Sequence, residues 1–185
     1  GFHLDQNVVA SLDTASQWLL HAGRRALASA SVKDTSHTGA VIGNLSFPTR
    51  AMADYSARKW LGDELADLVG LPVESAKSRF MSGLPADILA TGLGLGEQAY
   101  AIDAACASSL YAIKLACDQL HDGKARTMLA GAVCASDDLF LHVGFSSLSA
   151  LSKAGRSRPF DSQADGLIPA SGAGFVVLKR LRDAL

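Results

Sequence analysis

The run Asp103-Ala104-Ala105-Cys106-Ala107-Ser108-Ser109-Leu110 sets a cysteine where an apolar stretch gives way to a helical one. Tyr100-Ala101-Ile102 before it reads as the end of a strand, and Ala107 to His121 reads as a helix. A sulfur at that junction lies over the N–H groups that a helix start leaves unpaired. The helix dipole adds about half a positive charge there. Both favour the thiolate, the reactive form of cysteine. The same N–H groups suit an oxygen that gains negative charge as a thioester is attacked. The small neighbours Ala104, Ala105, Ala107 and Ser108 would let a substrate reach the sulfur. Free cysteine is also a common small buried hydrophobe, so the residues alone leave Cys106 open between packing and nucleophilic chemistry.

Other reactive residues carry weaker signals. Cys117 and Cys134 lie inside apolar periodic runs and read as core. A nucleophilic cysteine needs a base or electrostatic partner. His21 and His121 fall on polar helix edges, and His142 lies beyond the strand that follows the helix, with nothing in its context that requires a pairing with Cys106. The cysteines and histidines lack the spacing of a zinc site. Gly92-Leu93-Gly94-Leu95-Gly96 and Gly172-Ala173-Gly174 each precede a strand. A dinucleotide loop follows one, so both read as turns or close-packing sites. The Ala105-Cys106-Ala107 context also lacks the flanking glycines of a hydrolase elbow.

The elements that must hold this cysteine follow from periodicity. Val8, Leu12, Ala15, Leu19, Ala22 and Ala26 make one face of a helix over 8–26. Residues 39–45, GAVIGNL, read as a short buried strand. Leu61, Leu65 and Leu68 mark the apolar face of a helix over 50–69 that Gly70-Leu71-Pro72 ends. Pro85 suits the first turn of a helix running to Leu93. The glycines at 92, 94 and 96 form a turn, and residues 97–103 lead as a strand to the cysteine. The next helix should bury Leu110, Ile113, Cys117 and Leu120; being apolar over most of its circumference, it should be covered on several sides. Residues 127–135 and 173–178 read as further strands, separated by a polar loop over 151–167. Such alternation predicts a layered α/β fold with a mixed or mostly parallel sheet.

Composition fits one globular unit: 185 residues, 49% hydrophobic and 19% charged, with a net charge of −1. That balance offers nothing to nucleic acid or anionic membrane. No apolar run approaches the roughly 20 residues of a membrane span, and no signal-peptide pattern opens the chain. An odd cysteine count without a CxxC pair suits reduced thiols and a cytoplasmic protein. Both ends read as cut, with no strand before the first helix and a last helix barely begun.

Four blocks together resemble the β-ketoacyl synthases, the condensing domains of fatty acid and polyketide synthases. DAACASSL (103–110) resembles the family's nucleophile motif DTACSSSL. Gly144-Phe145 with Ala150-Leu151-Ser152 resembles GF…ALS. RPFDSQADG (158–166) resembles the RPFD…DG loop, and SGAGFVVL (171–178) the EGAG strand. The match is strong over 95–181 and weaker before. Ala104, Ala107 and Ser171 stand where the family has Thr, Ser and Glu. The DAACASSLYAIKLA form resembles the ketosynthases of polyunsaturated-fatty-acid-type and related iterative polyketide synthases more than modular ones.

The resemblance implies a thiolase-like fold, of which residues 1–185 would be a truncated N-terminal βαβαβ half. The opening strand and the whole C-terminal half would be absent, and with them two active-site histidines, a lysine and the second oxyanion donor. It implies Cys106 as acyl acceptor, with its backbone N–H as an oxyanion donor, and Phe145 in the acyl pocket. It implies substrates carried on the phosphopantetheine of an acyl carrier protein, a homodimer, and no metal or other cofactor in the domain. Residues 1–185 alone should not condense substrates, and their sheet should be left with an uncovered face. Two rivals remain: a thiolase acting on coenzyme A thioesters, and a non-catalytic chain-length-factor partner, which would lack the nucleophile.

Overall fold

The computed structural model describes residues 1–45, 48–73 and 83–185. Its centre is a four-stranded sheet in the order β2-β1-β3-β4. The strands are β1 (Thr38–Asn44), β2 (Ala99–Ile102), β3 (Thr127–Cys134) and β4 (Gly172–Lys179). β1 pairs in parallel with β2 and β3, and β4 runs antiparallel to β3. The sheet is therefore mixed, as the alternation of elements predicts.

Every residue of β1 is buried, as a central parallel strand covered on both faces requires. Alternate side chains serve different layers. Ala40 and Ile42 join Leu129 and Val133 of β3 in one core with Ala15, Leu19 and Leu27 of α2 (Thr14–Ser29) and Leu89 and Leu93 of α5 (Leu84–Leu93). Val41, Met128 and Ala130 face the other way, onto Ala112, Ala116 and Leu120 of α6 (Ser108–His121). Each large side chain fully buried here, such as Leu19, Leu89 or Leu129, contributes about 1.5–3 kcal/mol. The central strands β1 and β3 thus have both faces covered, so the expected bare face is not found at the centre of the sheet, whereas at its β4 edge Val176, level with Ala130, is 45% exposed.

Four sequence expectations are corrected. The helix over 8–26 is two helices, α1 (Gln6–Ala10) and α2, because Asp13 caps a new start by accepting the Ser16 N–H at 3.2 Å. The helix over 50–69 is α3 (Arg50–Leu61) and α4 (Asp63–Leu68), broken at Gly62, whose φ of 80° suits glycine. Arg58 ties the two by pairing with Asp63 and Asp67 at 3.0 and 2.6 Å. Those partners and charges raise the Arg58 pKa, the Asp67 hydrogen bond foremost. The Leu61-Leu65-Leu68 face is open, Leu68 being 80% exposed.

Gly92 belongs to α5 rather than to a turn. A Cβ on it would stand 2.3 Å from Leu20 Cδ2, so glycine lets α5 and α2 approach. Finally, α6 lies on the sheet through Ser108, Ala112, Ala116 and Leu120, while Leu110 is 70% exposed. Small side chains bring that helix close to the sheet, Leu120 joins them at its end, and the bulky Leu110 and Tyr111 near its start stay exposed. Among the described residues α6 is covered on its sheet side only. The remaining helices are α7 (Asp138–Ser147) and the short α8 (Leu181–Ala184).

Candidate active site

β2 ends at Ile102, and one 3₁₀ turn, Ala105–Ala107, joins it to α6. Ala105 has φ of 49°, a left-handed conformation that a residue with a Cβ adopts at a cost of about 1–3 kcal/mol. Three side-chain hydrogen bonds hold it. The Asp103 carboxylate accepts the Ala105 N–H at 2.9 Å. The Ser108 hydroxyl accepts the Ala104 N–H at 2.9 Å and donates to the Ala105 carbonyl at 2.7 Å. The Ala107 N–H closes the turn on the Ala104 carbonyl at 3.1 Å. The outcome is an elbow built without glycine, with Cys106 exposed at its tip and free of any disulfide.

The turn can sit there because β1 and β3 make room for it. A Cβ on Gly43 would stand 2.8 Å from Ser108 Cβ and 3.1 Å from Ala132 Cβ. Above this contact opens a cleft of about 370 Å³. One wall is Ala105, Cys106, Ser108 and Ser109; the other is the ends of β3 and β4, from Ala132 to Cys134 and Ala170 to Gly174. Nearly every lining side chain is small, so the sulfur faces space that a substrate can enter.

The polar loop over 151–167 leads into the β4 wall. It is pinned where the Ser152 N–H donates to the Leu167 carbonyl and the Leu167 N–H to the Ala150 carbonyl, both at 2.9 Å. Asp165 accepts from the Ser152 hydroxyl and, at 2.8 Å, from the Ala154 N–H. These two bonds, the Ser152 one first, hold its carboxyl below the usual range. A Cβ on Gly166, at φ 150°, would strike the Ser152 backbone nitrogen at 2.5 Å. The DG pair of the loop is thus a backbone lock.

The model of the family described as "Beta-ketoacyl synthase, N-terminal domain" matches residues 1–184. The chain belongs to the β-ketoacyl synthase family. It is 35% identical over 206 residues to a component of the polyunsaturated fatty acid synthase of Thraustochytrium sp., with 98% of this chain and 10% of that protein covered. It is 32% identical to the pikromycin polyketide synthase component PikAIII of Streptomyces venezuelae, over 99% of this chain and 11% of that one. The chain thus spans about a tenth of these relatives' lengths. Among solved structures, "PfaC Keto synthase-Chain length factor" superposes with a TM-score of 0.87 at 38% identity, covering all of this chain and 22% of that one. A β-ketoacyl synthase from Burkholderia phymatum shares the fold, with a TM-score of 0.75 at 22% identity, over 97% of this chain and 45% of that one. The fold is thiolase-like.

In this β-ketoacyl synthase chain, the residues singled out from sequence do not all converge. Cys106 stands on the cleft. Phe145 lies on a separate apolar groove of about 230 Å³ with Phe140, Leu141, Gly144 and Leu148, and is not on the lining of the Cys106 cleft. His142 is exposed on α7 and not on that lining either. Cys117 and Cys134 are half-buried, and Cys134 lines the cleft, so the core reading of Cys134 is corrected: it ends β3 where the sheet meets open space. Among the described residues no three His, Cys, Asp or Glu side chains group to hold a metal, and no helix is long and apolar enough to cross a membrane.

Sequence reading missed Ser108 and Gly43. A serine two residues past the cysteine, at a helix start, marks a side chain able to bond the backbone. A glycine inside a buried strand marks close backbone approach. Ser108 is 5% exposed, so Ser108→Ala leaves the Ala104 N–H and Ala105 carbonyl without their hydroxyl partner. The expected cost is about 1–3 kcal/mol, read as a lower denaturation midpoint of the parent domain, with Ser108→Thr recovering part of it.

Proposed function

We propose that the parent protein is a β-ketoacyl-[acyl-carrier-protein] synthase of fatty acid or polyketide biosynthesis, with Cys106 as its nucleophile. The observation that carries this reading is an exposed thiol at the tip of a strained, hydrogen-bonded turn, over a cleft walled by small side chains. Such a thiol is accessible and fixed in place, which covalent catalysis needs.

The chemistry then runs in two stages. The Cys106 sulfur adds to the thioester carbonyl of an acyl group on a carrier's phosphopantetheine. The tetrahedral oxyanion is held at the Cys106 N–H, and the carrier thiol leaves with the proton. Malonyl-carrier next loses carbon dioxide, and the electron pair of the broken C–C bond forms a bond to the acyl carbonyl carbon. The Cys106 thiolate departs, leaving a β-ketoacyl-carrier two carbons longer. The histidines, lysine and second oxyanion donor come, on this reading, from the C-terminal half of the synthase. The acyl carrier protein is the partner, the full domain works as a homodimer in the cytoplasm, and the domain itself uses no metal or redox cofactor.

The test is condensation by the full parent protein, given acyl-carrier and labelled malonyl-carrier. Release of carbon dioxide with formation of the lengthened β-ketoacyl-carrier is expected. Turnover of coenzyme A thioesters without decarboxylation would support a thiolase instead. A protein that accepts no acyl group on Cys106 would fit the chain-length-factor role.

Phe145 enters this reading as a residue of the acyl pocket on the strength of the family resemblance, its groove with Phe140 and Leu148 lying apart from the Cys106 cleft. Phe145→Ala in the full protein should raise the ratio of long to short acyl chains accepted by about threefold or more. An unchanged chain-length profile with a lower melting temperature would make Phe145 a packing residue.

A further inference from the structure

We propose that Cys134 is a specificity-determining residue, forming the wall that faces Cys106 and limiting the acyl group held between them. The inference rests on Cys106 being the acyl acceptor. Side chains of a strand alternate between faces. On β3, Met128 and Ala130 pack toward α6, and Ala132 and Cys134 continue that face. Ala132 Cβ and Ser108 Cβ lie 3.1 and 2.8 Å from one point, the position of a Cβ on Gly43. From this contact the two walls diverge. Cys134 stands two residues farther along β3, roughly 6–7 Å beyond Ala132 at the rise of a strand. Cys106 stands two residues before Ser108, on the turn above the helix. Both line the same cleft of about 370 Å³.

The rest of the β-wall offers little to an acyl chain. Cys134 pairs across the ladder with Gly172, and Ala170, Ala173 and Gly174 complete that side. The Val133 side chain turns to the opposite layer, among the buried residues of the α2 core. Cys134 is therefore the largest side chain that the ends of β3 and β4 turn to the α6 side at this cleft, whose lining also includes Leu45 just past β1. It is free of disulfide, and its Sγ has a distant contact at 3.9 Å with the Ser136 hydroxyl. A thiol behaves as a small, polarisable hydrophobe, suited to the first methylene groups beyond an acyl carbonyl. A larger side chain would fill the space those groups occupy.

The experiment uses the full parent protein and compares a long straight-chain acyl-carrier with acetyl-carrier, reading the acyl group on the Cys106 peptide by mass spectrometry. Cys134→Phe should lower the long-to-acetyl ratio of loading rates by about tenfold or more. A ratio within about twofold of the parent's overturns the proposal. A second measurement needs no variant. With a long acyl group already on Cys106, alkylation of Cys134 by N-ethylmaleimide should slow at least about fivefold relative to the acetylated protein. Equal rates in the two overturn the proposal even if Cys134→Phe does not fold. Absence of any acyl group on Cys106 in the parent defeats the synthase reading first and this inference with it, an outcome distinct from normal loading that ignores Cys134.

Discussion

Cys106→Ala in the parent synthase should abolish acyl transfer to the enzyme and lower condensation on the order of 10³-fold or more, the scale on which loss of a covalent nucleophile acts. The protein should nevertheless fold as before. The Cys106 side chain is exposed, and substitutions at exposed positions outside the core shift stability by about 0.5 kcal/mol or less. The turn that presents it is braced by Asp103 and Ser108, through bonds that do not involve the sulfur. Activity and stability are thus expected to separate cleanly in this one variant. The measurement is incubation with a radiolabelled acyl-carrier, followed by peptide mapping and a thermal melt. Label on the peptide holding residue 106 in the parent, with none in the variant at an unchanged melting temperature, is the expected pair of results. Label on Cys117 or Cys134, or label that survives Cys106→Ala, assigns the acyl group elsewhere.

The strand, cysteine and helix were legible in the sequence because each is a local signal. An apolar run, small residues and a periodic stretch follow one another within some twenty positions around Cys106. The alternation of elements likewise implied a mixed layered sheet. What local pattern could not carry was closeness. On α6, hydrophobic weight favoured a face through Leu110, Ile113, Cys117 and Leu120; the sheet takes the stripe Ser108-Ala112-Ala116-Leu120, which shares only Leu120 with it. Bulk marks where burial is worth most; small residues mark where two backbones nearly touch, and a hydropathy pattern ranks them low. Gly43 and Gly92 belong to the same class, each defined by the atoms a Cβ would strike. The break at Asp13 shows a related limit. Its cap interrupts a periodicity that runs straight through in the sequence, because side-chain capping competes with helix continuation in a way that apolar spacing does not register. Cys134 read as core because its neighbours in sequence are apolar, whereas its surroundings depend on where β3 ends.

Gly43→Ala is the substitution expected to join fold and site in one measurement. The added Cβ would lie 2.8 Å from Ser108 Cβ and 2.9 Å from the Ser108 backbone carbon, with Ala132 Cβ at 3.1 Å. None of these is the far end of a flexible side chain, so the start of α6 must move off the sheet. Overpacking of this kind costs about 1–3 kcal/mol. Ser108 also braces the turn that carries Cys106, so the displacement reaches the sulfur. A misplacement of about 1 Å can cost on the order of 10²-fold in rate, and acyl loading per folded molecule should fall by at least about tenfold. Gly39→Ala supplies the control. Its Cβ would stand 2.8 Å from both the Gln98 carbonyl oxygen and Met128 Sδ, so stability should fall there too. That clash lies at the other end of β1, roughly 13 Å from Gly43 along the strand, where it meets the residue before β2 and a side chain packed on α6 rather than the cysteine turn itself. Loading corrected for the folded fraction should then drop in Gly43→Ala and hold in Gly39→Ala. Equal losses in the two would mean that loading follows global stability, and that the contact between Gly43 and Ser108 does not set the position of the nucleophile.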